Sequence, residues 1–383
     1  MTRIVIVGCG IIGATIAYEL SQQPDFNITV LDRQLPAQGA TGAALGVLMG
    51  VISHKVKGRN WRLREISLQR YATLLPQLET TVKHHIPHNT QGILNLCFAA
   101  EELPRWQSLQ AIRQGQGWPL EIWAPQQVTD ACPHLRASSI VAGIYSPCDL
   151  QIDPKALTHT LVEAAQQQGV AFHFDAAVKD FQQQAERVIS VQTNQADYPA
   201  DWTILTAGLG SRLLLRELDY SLPLMPVLGQ GIRLRLPNPL GSRTFQPIIN
   251  GNDIHLVPTG NCEYAVAATV EFPEAHDDSM NDPLPQKAAL DHLWQGAIAY
   301  CPALTQAEIL ETWYGLRPRP QGQAAPVVKR LANYTNVIVA TGHYRNGVLL
   351  APATAQLVKE IVIEKSETGK FNETIPGAPN LND

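Results

Sequence analysis

No strong excess of either charge runs through this sequence: 29 Lys and Arg stand against 34 Asp and Glu, for a formal net charge of -5. Without a basic surplus or stripe there is no general attraction to phosphate backbones or anionic membranes, so nucleic acid is not an expected partner. No CxxC pair occurs among the six cysteines, Cys9, Cys97, Cys132, Cys148, Cys262 and Cys301. The spacing of a zinc site or a redox dithiol is therefore missing; no metal is expected, and the cysteines should be reduced, mostly buried thiols. No stretch reaches the roughly 20 uninterrupted apolar residues of a spanning helix. The apolar start is broken by Gly8, Gly10 and Gly13, which argues against a secretory signal, and a cytoplasmic location is expected. Repeats and low-complexity tracts are also lacking. What remains is a chain of 383 residues, 45% of them hydrophobic, able to bury a sizeable core and, on length, to form roughly two domains.

The first 31 residues carry an apolar run at 4–7, a glycine turn at 8–13, a helix-compatible segment at 14–22 and a second apolar run at 28–31. This order predicts a βαβ unit. Near-helical spacing of Leu63, Ile66, Tyr71, Leu74 and Leu75 predicts a long amphipathic helix over 62–78, its basic residues facing water. Asp153 and Pro154 are start signals for a helix reaching about residue 168: an aspartate caps orphan amides, and proline at the first position loses no useful donor. Residues 202–206 and 337–340 are apolar runs ahead of glycines and read as central strands. Alternation at 231–236, 254–257 and 264–269 predicts half-exposed antiparallel strands. From about Ser366 the composition predicts a low-order tail, residues 366–383.

Gly8, Gly10 and Gly13 form GxGxxG directly after a strand and at the start of a helix, where backbone amides and the helix dipole receive a pyrophosphate. Asp32 ends the second strand, where a carboxylate accepts from both hydroxyls of an adenosine ribose. This unit does not separate NAD from FAD, because both present an ADP half. The small residues at 40–46, Ala-Thr-Gly-Ala-Ala-Leu-Gly, would admit a second large cofactor portion, or form a plain loop.

Thr41 to Gly46, Asp153-Pro154, Gly315-Leu316-Arg317-Pro318 and above all Gly342-His343-Tyr344-Arg345-Asn346-Gly347-Val348-Leu349-Leu350-Ala351-Pro352 resemble, in order, the motifs of glycine oxidase and the wider D-amino-acid oxidase family. The resemblance spans nearly the whole chain. It implies a Rossmann-like FAD-binding domain over 1–85, 145–220 and 325–365, interrupted by a β-rich antiparallel substrate domain over 86–144 and 221–324. FAD would be held non-covalently. The implied cofactor contacts are Gly8, Gly10, Ile12, Gly13, Asp32, Arg33, Thr41, Ala43, Ala44, Gly46, Val47, Leu48, Val178, Ala207, Gly208, Gly315, Gly342, Tyr344, Arg345, Asn346, Gly347 and Val348, although Val47 and Leu48 are equally ordinary core residues. The helix beginning near Gly347 would stabilise negative charge on a reduced flavin.

By the same resemblance Arg317 grips a substrate carboxylate with its two-pronged guanidinium; the commoner fate of an arginine is a surface salt bridge. Arg345 would support the carboxylate or, more simply, pin its loop. His255 stands where the family has a tyrosine, and would donate from a ring nitrogen, adding positive charge when protonated; a strand-edge histidine without a ligand is the alternative. Met49 and Ile52 replace small residues near the active site, which argues against glycine itself. The implied reaction is oxidative deamination of a small amino acid or secondary amine by hydride transfer to flavin N5, with oxygen or another acceptor and no side-chain acid or base. The rivals are a D-amino-acid, sarcosine or proline dehydrogenase and a flavin- or NAD-binding protein without turnover. The oligomeric state, a homo-oligomer included, stays open.

Overall fold

The computed structural model describes residues 1–272 and 284–368, with side chains described as far as residue 363. It is a mixed α/β fold built around two large sheets. The first has six strands in the order Val327–Arg330, Val337–Thr341, Trp202–Leu205, Thr2–Val7, Phe26–Leu31 and Ala171–His173. All neighbours are parallel except the first two, which pair antiparallel. The expected βαβ unit is present: Ile4 pairs in register with Ile28 on one side and Trp202 on the other. Ile4 and Ile6 are fully buried, as continuous apolar runs in a parallel sheet covered on both faces require. The Ile11–Ser21 helix, capped by Gly10, is buried almost all round between Pro154–Gln167 and Gly347–Thr368.

Asp153 does cap its helix, its Oδ1 accepting from the Ala156 amide at 2.9 Å with Pro154 at the first position. The predicted amphipathic helix spans Gly58–Val82 and tolerates Pro76 within it. Its basic residues do not all face water. Arg64 is buried, donating from Nη1 to the Asn60 carbonyl at 2.8 Å, and it is electrostatically coupled to the fully buried Asp149. The Asp149 carboxylate accepts the amides of Gly50, Val51 and Ile52 at 2.7, 2.8 and 2.8 Å, so the segment after the Val47–Leu48 strand is tied down from within. The 62–78 window shows helical spacing but not the partners that 50–52 and 149 bring to Arg64.

The second sheet has eight strands, Glu308–Pro320, Leu224–Arg235, Glu263–Ala267, Ile254–Gly260, Ile248–Gly251, Ile93–Cys97, Ala142–Ser146 and Glu121–Trp123, antiparallel throughout except between Ile248–Gly251 and Ile93–Cys97. The expectation of half-exposed strands holds at 231–236, where Arg233 and Arg235 are exposed between buried Ile232, Leu234 and Leu236, and is corrected for the other two: every residue from Ile254 to Val257 and from Tyr264 to Ala267 is buried. The alternation separates two covered faces. Ile254, Leu256, Tyr264 and Val266 pack with Leu293, Ala297 and Tyr300 from the Lys287–Tyr300 helix, whereas His255, Val257, Ala265 and Ala267 face a cavity. The six cysteines are all free, four of them buried, and burial pushes the Cys132 and Cys301 thiols up to about 12. The expected tail begins later than Ser366, because Gly347–Thr368 is helical; from 369 it lies outside the described residues. Among the described residues no helix is long and apolar enough to cross a membrane.

Candidate active site

A cavity of about 970 Å³ runs from the glycine turn at the end of Thr2–Val7 to the wall formed by Glu308–Pro320 and Ile254–Gly260. At its first end, Gly8 has φ +109 and its Cα faces the backbone of Thr206 and Ala207; an added Cβ would come within 2.8 Å of the Thr206 carbonyl carbon. A side chain there is excluded both by conformation and by space. Gly13 lies off the cavity wall and serves packing instead, since a Cβ on it would sit 1.9 Å from the Gly8 carbonyl oxygen. Asp32 lines the same end. Its Oδ2 accepts the Cys9 amide at 2.6 Å and its Oδ1 the Gln34 amide at 2.9 Å, which holds the carboxylate at the strand end beside the turn. Gly10, Ile12, Arg33, Val178, Ala207 and Gly208 complete this portion of the wall.

Further along, Thr41, Ala43, Ala44, Gly46 and Val47 line the middle. Thr41 is anchored by accepting the Ile11 amide at 3.0 Å. The segment is locked to the second sheet at two points: Trp313 donates from Nε1 to the Ala43 carbonyl at 3.1 Å, and the Ala43 methyl lies where a Cβ on Gly315 would be, 2.2 Å away. Opposite stand Gly342, Tyr344, Arg345, Gly347 and Val348, at the N-terminus of a 22-residue helix. Its partial positive charge is therefore directed at the cavity. Tyr71 fastens this turn by donating to the Val348 carbonyl at 2.5 Å, and the buried His343, held neutral by burial with its pKa down at about 3, shares a 2.8 Å hydrogen bond with Thr354. Leu48, Met49, Ile52 and Asn346 are not on the wall. Leu48 and Ile52 are packed in the core, and Met49 is half-buried against it; the Ile52 amide, moreover, is taken by Asp149.

Arg317 sits on the long strand Glu308–Pro320, whose register sets Arg317 opposite Val227 and Gly315 opposite Gly229. Its guanidinium lies across the bare Cα of Gly229, where a Cβ would meet Nη2 at 2.1 Å, and Nη1 donates to the Leu228 carbonyl at 3.1 Å. No carboxylate lies within 4.0 Å of it among the described residues, so the surface salt bridge is not what it makes there. Burial, helped by Arg345, presses its pKa down. A half-buried cation without a charged partner in contact carries a desolvation cost that a bound anion would offset. Among the described residues the ion pair of Arg345 is a long, exposed contact to Asp253 at 4.0 Å. Burial, reinforced by Arg345, pushes His255 down to about 4, so it is neutral near pH 7 and the positive charge that protonation would bring is absent there. Its Nδ1 is buried and without a hydrogen-bond partner among the described residues. Sequence reasoning missed Gly229, which has no motif around it; Trp313 was visible beside Gly315 but its target carbonyl was not.

The wall fits an FAD on structural grounds. The turn at Gly8 leaves backbone close to the cavity, Asp32 presents an anchored carboxylate where an adenosine ribose would lie, and a helix N-terminus faces the far end. Comparison with known proteins agrees. Residues 3–361 match the family described as FAD dependent oxidoreductase (DAO). The chain is 31% identical over 370 residues to a bifunctional protein ThiO/ThiG of Trichormus variabilis, covering 95% of this chain and 53% of that one. It is 26% identical over 369 residues to a glycine oxidase of Geobacillus kaustophilus, covering 95% and 93%. The crystal structure of glycine oxidase from Geobacillus kaustophilus superposes with a TM-score of 0.84 over 95% of each chain at 24% identity, a likeness of fold. The chain thus spans about half the length of the bifunctional relatives and nearly all of the glycine oxidase. With a family match over residues 3–361 and a cavity wall built to suit the cofactor, the chain belongs to the FAD dependent oxidoreductases of the DAO family.

Proposed function

We propose that this protein carries out oxidative deamination of a small amino acid or secondary amine that bears a carboxylate. The observation that carries the reading is Arg317, a half-buried guanidinium on the cavity wall with no carboxylate within 4.0 Å among the described residues. A planar fork takes a carboxylate through two parallel hydrogen bonds, and a charge-assisted contact of this kind contributes about 1.5–3 kcal/mol. Arg345 adds positive potential to the same end of the cavity, and neutral His255 offers one ring N–H donor. Bound FAD supplies the two-electron acceptor for a hydride leaving the substrate α-carbon. The cofactor portion comprises residues 1–85, 145–220 and 325–365, and the substrate portion 86–144 and 221–324.

The chain's contribution is orientation. Fixing the carboxylate at Arg317 leaves the α-C–H bond one way to point, and such positioning lowers the barrier without any side-chain acid or base. The amine enters neutral, and the oxidised product leaves as an imine that water hydrolyses. The helix N-terminus at Gly347 favours negative charge at the wall it faces. Anaerobic incubation of the purified yellow protein with glycine, sarcosine, and D- and L-amino acids, followed by flavin absorbance, tests the reading. Bleaching by at least one carboxylate-bearing amine, and none by the matching amine without a carboxylate, is expected. Bleaching by neither leaves a binding protein; peroxide in air separates an oxidase from a dehydrogenase.

A further inference from the structure

Away from the cavity, three side chains converge at the end of the Gly58–Val82 helix. The helix stops at Lys83, which takes the left-handed conformation with φ 60 and turns the chain back over its last turns. The Glu79 carboxylate catches the returning strand by accepting the Ile86 amide at 2.9 Å. The same Oε1 lies 2.7 Å from His85 Nδ1 and 3.9 Å from His88 Nδ1. One ligand atom from each of Glu79, His85 and His88 lies within 4.8 Å of the other two. His88 Nδ1 also lies 2.6 Å from the Ile86 carbonyl, a contact that this nitrogen would exchange for the metal.

We propose that Glu79, His85 and His88 bind a divalent transition metal of the zinc class, with water completing the coordination. Two imidazoles and a carboxylate suit zinc, nickel or copper far better than magnesium or calcium, which favour oxygen ligands. Metal–ligand bonds of about 2.0–2.2 Å in a tetrahedron set ligand atoms about 3.3 Å apart. The present separations fall on both sides of that value, and His85, whose side chain is 68% exposed, is free to adjust its rotamer without disturbing the core. Glu79 and His88 are less exposed, at 29% and 19%, which leaves an ion an entry from solvent onto a partly preformed floor. All three ligands come from ten consecutive residues, so the site needs only this turn. An ion there would staple the turn to the helix. The turn leads into the His88–Asn89 strand, which pairs with Leu150–Ile152, and that strand in turn donates to the Gly46 carbonyl beside the cavity. A gain in thermal stability on binding is the natural consequence.

The test uses the flavin-loaded protein, stripped with a chelator and dialysed, then titrated with zinc sulfate against a chromophoric zinc indicator. Wild type should take up one equivalent at this site, with a rise in melting temperature that magnesium does not produce. His85→Ala and His88→Ala should each weaken uptake by at least about tenfold, since even partners behind the ligands are worth about 10- to 100-fold. Glu79→Gln should do likewise. The exposed His85 keeps the test independent of folding, and flavin absorbance reports that each variant is intact. Uptake unchanged in the His85→Ala, His88→Ala double variant would overturn the assignment and direct the ion to a thiol such as Cys262. Failure of the wild type to compete with the indicator would overturn it too.

Discussion

Gly229 lies directly beneath the guanidinium of Arg317, and a single methyl group on its Cα would come within 2.1 Å of Nη2 and 2.4 Å of Cζ. The two residues are 88 positions apart in the chain and meet because Leu224–Arg235 and Glu308–Pro320 pair antiparallel over their full length. Arg317 thus owes its placement to a residue that has no side chain. Gly229→Ala should displace the fork while the strand pairing survives, because alanine is tolerated in a strand backbone. The expected loss is on the order of ten- to a hundredfold in kcat/KM for carboxylate substrates, with FAD content unchanged. Stopped-flow bleaching rates check it; an unaltered rate would mean that Arg317 does not depend on this floor.

Arg317→Ala removes the fork itself. A fall of about ten- to a hundredfold in bleaching efficiency is expected for amino acids, and Arg317→Lys should recover only part of it because an ammonium offers no bidentate geometry. If the variant lost activity equally on amines without a carboxylate, Arg317 would have to be serving the fold rather than the substrate. Comparing the two substrate types decides this.

Asp32 holds the Cys9 and Gln34 amides and faces the cavity, so its charge bears on both the turn and any ribose beside it. Asp32→Asn keeps the size, but loses a charge-assisted acceptor and sets an amide group toward one of these N–H donors. FAD should wash out of this variant on dilution while wild type stays yellow. Supernatant absorbance after acid precipitation measures how much was bound, and a yellow pellet would reveal a covalent link.

His255 and His343 are buried neutral, with pKa values pushed down to about 4 and about 3 from the ordinary 6.5. In both cases the folded value lies below the unfolded one. The unfolded chain therefore takes up protons first as pH falls below about 6.5, and the stability these residues contribute is full above that pH and lost progressively toward about 4 for His255 and about 3 for His343. For His255 alone the shift corresponds to an effect on the order of 3 kcal/mol. Denaturant midpoints between pH 7 and 4 should fall less steeply in His255→Gln than in wild type. Parallel slopes would show that His255 does not titrate in this way.

How much could be read without coordinates follows from how far apart the deciding residues are. The glycine turn, the βαβ unit with Asp32 and the Asp153-Pro154 helix start were legible because their signals are local: a run of apolar residues, a cap and the helix it caps lie within a few positions of one another. The strands at 254–257 and 264–267 alternate in sequence, but alternation states only that two faces differ; that both are covered, one by the Lys287–Tyr300 helix and one by the cavity, depends on what packs there. Arg64 shows the same limit, since helical spacing places it on a face while Asp149 decides that this face is buried. Met49 and Ile52, expected near the substrate, lie off the cavity wall, and the segment that carries them is tied by Asp149, about 100 residues away, through the Gly50 and Ile52 amides. The glycine under Arg317 and the turn that gathers Glu79, His85 and His88 likewise carry no periodic or motif signal, because pairing register and chain reversal, rather than residue type, bring those atoms together.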